Sequence, residues 1–214
     1  MSATDARYEQ LDAIFGGVTK STRCIEKHRR TLEELLQLAV EIAREGREGR
    51  KIGTLFVIGD VEQTLMRSRP LLLDPLYGHP PEVLHVARPE FRETIKELAQ
   101  LDGAFLVDGD GTFAAACRYI EVDVSVAANF MAGLGTRHAA AASISAATSA
   151  IAIVVSQSSI VRVFAGGEVR AEIIPELFLM SGQQLFTPDA AVRQLPDVGI
   201  TLAVADGNGN GERD

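Results

Sequence analysis

Between His138 and Arg162 the chain carries no charged residue, and this uncharged run constrains the fold more than any other feature. It opens after a glycine turn, GLGTRH, passes through the small-residue stretch AAAASISAATSA and ends in the apolar run IAIVVS. Such a segment must be buried. Its length raises the question of a membrane span. Ser143, Ser145, Thr148, Ser149 and Ser156 are too many polar groups for lipid, so the run is expected to be a buried helix followed by a strand ending at Ser156. Polar groups gather at its two ends.

The remainder of the chain supplies the partners for that core. GTLFVIG, Gly53 to Gly59, is a short continuous apolar run with glycines at its flanks, the signature of a strand covered on both faces. Ala104 to Val107 reads as a strand, DGDG as a turn and Thr112 to Ile120 as the antiparallel partner. The calcium reading of DGDG fails, because an EF-hand loop starting at Asp108 needs Gly at Phe113 and Glu at Tyr119. IVRVF, AGGE and VRAEI predict a second hairpin closed by Pro175, with Val161 and Val163 on one side and Arg162 on the other. Pro89 opens a helix with Phe91, Ile95 and Leu98 on one face.

Leu32, Leu35, Leu36, Ala39, Ile42 and Ala43 recur at helical spacing and predict an amphipathic helix stopping near Gly46. With the stripe Tyr8, Leu11, Ile14 and Phe15 it makes residues 1–48 a helical segment only partly committed to the core. Lys27, His28, Arg29 and Arg30 read as a solvated helix face. The proline-rich loop RSRPLLLDPLYGHPP is expected to be ordered, with Leu71 to Leu73 plugging the core and His79 structural. Glu176 to Phe186 reads as a short helix or edge strand, residues 191–214 as a C-terminal segment, and Gly207 to Asp214 as mobile.

A chain of 214 residues supports one main core. Its formal net charge of -8 argues against broad nucleic-acid binding, which needs Lys and Arg to neutralise phosphates. An anionic ligand then requires a local site. The N-terminus has no apolar signal region, and Cys24 and Cys117 show no metal or disulfide spacing. A cytoplasmic protein with no membrane partner is expected.

Three places carry candidate chemistry. Gly133, Gly135 and Thr136 precede a helix whose N-terminus presents free N–H groups and the positive end of a dipole, a site for phosphate. Arg137 adds a bidentate donor there, and His138 a metal ligand or a donor. An ordinary capped helix with a surface Arg and a partly buried His is the alternative reading. Asp102, followed by Gly103, can bind a divalent metal or take a proton from a hydroxyl, or can simply mark a turn. Ser156 stands at a strand terminus, where open α/β sheets place ligand contacts. A serine nucleophile is disfavoured, since GxSxG is absent and no His follows His138.

DGA at Asp102 to Ala104, GTRH at Gly135 to His138 and VVS at Val154 to Ser156, in this order and spacing, resemble the diadenylate cyclase (DAC) domain family. The resemblance covers roughly residues 50 to 185 and suggests a domain at 49–190. It implies an α/β fold, a central mixed β-sheet flanked by helices, and condensation of two ATP into cyclic di-AMP and two pyrophosphates with Mg or Mn. Carried over by position, Asp102 lies near the attacking 3'-hydroxyl and the metal, with His138 a second metal candidate. Gly103 and Ala104 line the adenosine, Gly135, Thr136, Arg137 and His138 hold the triphosphate, and Ser156 contacts a phosphate. Asp102, Arg137 and His138 form the implied catalytic set.

Two departures from the family pattern are visible. Many members have RHR where this chain has Arg137-His138-Ala139, a form closer to the archaeal branch, and several have Glu where it has Gln157. Because the product is two-fold symmetric, the resemblance implies a homo-oligomer with facing sites. A catalytically silent sensor of ATP or cyclic di-AMP is the alternative.

Overall fold

The computed structural model describes residues 28–127 and 135–175, and the strands Ala190–Leu195 and Ile200–Ala205. Gly133, Cys24, the stripe from Tyr8 to Phe15 and the Glu176 to Phe186 and Gly207 to Asp214 segments lie outside the described residues. The chain divides into two compact units, Met1–Pro175 and Glu176–Asp214, earlier than the expected boundary at residue 190.

The first unit is an α/β fold around one mixed sheet. Its strands are β1 (Thr54–Ile58), β2 (Ser68–Pro70), β3 (Ala104–Val107), β4 (Phe113–Ile120), β5 (Ile151–Val155), β6 (Val161–Ala165) and β7 (Glu168–Ile173). They lie in the order β2-β4-β3-β1-β5-β6-β7. Only β1 and β3 run parallel; every other neighbouring pair is antiparallel. The three central strands β3, β1 and β5 are buried at every position, which is why their sequences are continuous apolar runs rather than alternating ones.

Helices cover both faces. α1 (Arg29–Glu45) and α3 (Pro89–Leu98) pack on one face, α5 (Thr136–Ala147) on the other, with α2 (Val61–Met66) and α4 (Val124–Ala127) short. The register puts Leu55, Ala104 and Val154 in one row on the α5 face. Phe56, Phe105 and Ile153 alternate to the other side. α5 is an alanine helix with Ala140, Ala141, Ala142 and Ile144 buried against the sheet. The polar groups of the run are satisfied: Ser143 Oγ accepts from Asp123 N at 3.0 Å, and Ser145 Oγ donates to the Ala142 carbonyl at 3.2 Å.

Two expectations need correction. α1 is the expected N-terminal helix but is committed to the core more fully than expected, since Leu38 and Val40 are buried along with the expected stripe. His28 is also buried, its Nδ1 3.0 Å from the Gly109 carbonyl of the DGDG turn, while Arg29 and Arg30 pair with Glu33 and Glu34 along the helix. Leu71 to Leu73 do not plug the core, and Leu73 is 94% exposed. Asp74 ties the loop down instead, accepting from Ala116 N at 3.1 Å and Leu76 N at 2.9 Å, and it is Leu76 that is buried.

The two helices of the first face are joined by charge. Lys96 Nζ, in a buried side chain, reaches Glu41 at 2.9 Å and Glu93 at 2.8 Å. Burial alone would lower its pKa, but the bonds to Glu93 and Glu41 win and hold it above the ordinary value. Among the described residues no helix is long and apolar enough to cross a membrane. In the second unit β8 (Ala190–Leu195) and β9 (Ile200–Ala205) pair antiparallel, Ala190 opposite Ala205.

Candidate active site

The topology brings the three candidate segments to one edge of the sheet. Since β1 and β3 are parallel and β5 is antiparallel to β1, the starts of β1 and β3 and the end of β5 coincide, with Leu55 opposite Ala104 and Thr54 opposite Val155. Asp102, Gly53 and Ser156 therefore stand at the same edge. This is the amino-terminal end of the two parallel strands, opposite to where open parallel sheets place their ligands. The strand-end argument picked out Ser156, yet an antiparallel strand is what brings it there.

α5 begins at this edge. Its cap residue Gly135 is extended, no side chain caps it, and its first turn holds no acidic residue. His138 N donates to the Gly135 carbonyl at 3.0 Å, which leaves the Thr136 and Arg137 amides at the positive end of the dipole without a backbone partner among the described residues. Next to them lies a cavity of about 330 Å³ walled by Gly135 to His138, by the β5 end with Ser156 to Ser158, and by Arg162.

Arg137 projects from the first turn toward β3. Its Nη2 lies 3.3 Å from Asp102 Oδ1, with Asp102 77% and Arg137 35% exposed. So open a pair adds little stability, and both groups can engage a ligand. The guanidinium passes over Gly53, where an added Cβ would lie 3.0 Å from Nη1 and 3.2 Å from the Val155 carbonyl. Gly53 thus clears the path that lets Arg137 reach Asp102.

Gly103 has φ +106°, and an added Cβ would lie 2.6 Å from the Cys117 carbonyl carbon. The tightness comes from β4, where the register slips opposite β3 and Cys117 itself has φ +53°. The glycine that the sequence offered for close approach of a ligand is used by the fold for close approach of a strand. Asp102 is thereby placed at a turn with a fixed exit into β3.

His138 is buried. Its Nε2 lies 3.1 Å from Nη1 of Arg162, which can only donate, so Nε2 is the acceptor and the proton sits on Nδ1. Burial, then the neighbouring Arg162, lowers the imidazole pKa, with Glu172 opposing weakly, so the ring is neutral at pH 7. Arg162 Nε is 2.7 Å from Glu172 Oε2, its cross-strand neighbour on β7.

Ser156 Oγ is 2.7 Å from Ser158 Oγ and accepts from Ile160 N at 3.2 Å, which folds the turn after β5 while leaving the hydroxyl on the cavity wall. Among the described residues no three His, Cys, Asp or Glu converge as metal ligands. Asp102 is the one carboxylate of the described site facing this edge with Arg137. That donor set suits a Mg-type ion held mainly by ligand oxygens and water, and does not suit a resident ion caged by protein.

The structure thus gathers Asp102, Gly103, Ala104, Gly135, Thr136, Arg137, His138 and Ser156 around one sheet edge. Sequence reasoning missed Arg162 and Gly53. A signal existed for the first: an arginine flanked by valines in a strand, ten positions before Glu172 across a short turn, is placed for a cross-strand pair.

The sequence profile of a family described as "DAC: DisA bacterial checkpoint controller nucleotide-binding" matches residues 41–169. A protein of Methanocaldococcus jannaschii named diadenylate cyclase is 47% identical over 151 residues, covering 70% of this chain and 47% of that protein. One of Haloferax volcanii with the same name is 35% identical over 149 residues, covering 69% of this chain and 54% of that protein. The chain therefore spans about half the length of the curated relatives it matches. A solved structure described as a hypothetical membrane spanning protein from Bacillus cereus has a TM-score of 0.50 at 19% identity, over 65% of this chain and 61% of that one, a likeness of fold alone.

Proposed function

The chain belongs to the DAC family, and on that premise we propose that it is a diadenylate cyclase, joining two ATP into cyclic di-AMP with release of two pyrophosphates. The observation that carries this reading is the convergence of an exposed carboxylate, a guanidinium and an uncapped helix N-terminus on one edge beside a cavity.

Each half-reaction is a nucleotidyl transfer. A ribose 3'-oxygen forms a bond to the α-phosphorus of the other ATP, the bond from that phosphorus to the β-bridging oxygen breaks, and pyrophosphate leaves. Asp102 accepts the 3'-hydroxyl proton and passes it to water. Its exposure allows a second nucleotide to approach it from outside the chain. Arg137 and the first-turn amides of α5, with the Thr136 hydroxyl, hold the phosphates and neutralise the charge that grows on the leaving group. Ser156 donates to a phosphate oxygen, and the backbone of Gly103 and Ala104 runs along the adenosine. Asp102 would hold a Mg or Mn ion, which would supply further charge neutralisation.

One chain offers one such edge, and the product needs two attacks related by two-fold symmetry. Two copies must therefore face each other with their sites apposed. The protein should be incubated with ATP and Mg or Mn, and cyclic di-AMP and pyrophosphate measured. One cyclic di-AMP per two pyrophosphates is expected. ATP binding without either product, at all metal and protein concentrations, would overturn the assignment and leave a nucleotide sensor.

A further inference from the structure

Arg137 is the only cation that α5 contributes to its first turn, because Ala139 follows His138 and the ring of His138 is neutral. A triphosphate carries roughly four negative charges near neutral pH, and Arg137 is already shared with Asp102. Arg162 is a second cation among the residues that line the same cavity. Arg162 projects from β6 toward α5, with its side chain 14% exposed, and its guanidinium lines the cavity together with Arg137 and Ser156.

Its geometry is that of a held group. Nε–H is spent on Glu172 Oε2 at 2.7 Å and one Nη1–H on His138 Nε2 at 3.1 Å. Five N–H donors minus these two leave three for a ligand, in a plane already fixed from two sides. The Nε2 of His138, by contrast, is spent on accepting from Arg162, in a ring that is itself buried. Phe164 packs against the ring at a centroid distance of 6.1 Å and closes another side.

We propose that Arg162 is the second guanidinium of the triphosphate site, reaching it from β6, and that His138 and Glu172 are positioning residues that hold it there. This rests on the ATP-binding reading above and reassigns one of its parts. The phosphate contact implied for His138 is made by the arginine it orients.

Binding of ATP and of AMP, measured by calorimetry, separates the possibilities, with KM and kcat as the second readout. Arg162→Gln should weaken ATP at least tenfold while AMP, which lacks the β- and γ-phosphates, stays within twofold. Arg162→Lys keeps the charge and the Glu172 pair but not the fork, and should fall between the two. His138→Gln keeps a neutral acceptor facing Arg162 and should bind ATP within threefold of wild type, whereas His138→Ala should approach the Arg162→Gln value. The loss should appear in KM more than in kcat.

Three results overturn the inference. These are wild-type ATP affinity in both Arg162 variants, an equal loss of ATP and AMP in both, or a loss in His138→Gln as large as in His138→Ala. If the wild-type protein itself fails to prefer ATP over AMP, the triphosphate reading falls as well, so the two failures are told apart by the unmodified chain.

Discussion

The face of the sheet under α1 and α3 and the face under α5 are built from alternate residues of the same strands, yet they are filled in opposite ways. On the first, Phe56, Phe91, Phe105 and Phe113 interlock with centroids 5.1 to 6.2 Å apart, and Lys96 ties the covering helices together. The second is made of Ala104, Ala115, Ala140, Ala141, Ala142, Ala150 and Ala152 around Leu55, Val57 and Phe164. Large side chains bury the most area per residue and hold the helices away from the strands. Small ones let a helix backbone settle close to the sheet. The alanine face thus lets the first turn of α5 reach the ends of β1 and β5, so stability and chemistry are assigned to different sides of one sheet.

Four substitutions test that division, from the largest effect to the smallest. Asp102→Asn removes the proton acceptor from an exposed position, so turnover should fall at least about a thousandfold, within the range for a lost general base. ATP affinity and the unfolding midpoint should hardly move. A protein that loses binding and turnover together would place Asp102 among the ligands instead. Phe113→Ala empties the middle of the aromatic cluster and should cost about 3 to 5 kcal/mol in denaturant unfolding. Its KM for ATP under folding conditions should match wild type, and a KM change would show that the two faces are not separate.

Gly53→Ala probes the boundary between them. The added methyl meets the flexible end of Arg137 and, at 3.2 Å, the Val155 backbone carbonyl, so stability should fall by about 1 kcal/mol while Arg137 is displaced. Steady-state kinetics should show KM for ATP raised roughly tenfold, about 1.4 kcal/mol. Unchanged KM would mean that Arg137 finds its ligand by another path. Thr54→Val acts on the packing face only: Thr54 Oγ1 is buried without a partner among the described residues, so removing it should stabilise the protein by about 1 kcal/mol and leave kinetics alone.

How much of this was legible in the sequence divides along the same line. Local pattern found the elements, because continuous apolar runs at Leu55 to Ile58 and Ile151 to Val155 need burial on both faces, and Gly135-Thr136 marks a helix start. It did not give the pairing. That β5 runs antiparallel to β1, so that the site lies at the starts of the parallel strands, depends on contacts between residues about a hundred positions apart, which no window of sequence contains. Leu71 to Leu73 misled for a related reason: three leucines advertise burial, but the loop is anchored by a carboxylate, Asp74, and turns them outward. Alternation put Arg162 on the side opposite Val161 and Val163 but not against His138, because the helix that covers its face comes from earlier in the chain. Asp102 and the GTRH segment stood out by residue type, their resemblance to a family joined them into one set, and their convergence on one edge came from the topology.

The central claim is that one chain carries half of what the product requires. A direct measurement holds the wild-type protein constant and adds increasing Asp102→Asn, which keeps its phosphate site but cannot accept the proton of its own attack. Mixed pairs can then make one bond and not close the ring. Cyclic di-AMP per wild-type chain should fall toward zero as the variant is added in excess, with the linear, singly joined dinucleotide accumulating in its place. A yield of cyclic di-AMP per wild-type chain that stays constant across the titration, in mixtures shown to exchange subunits, would contradict the account.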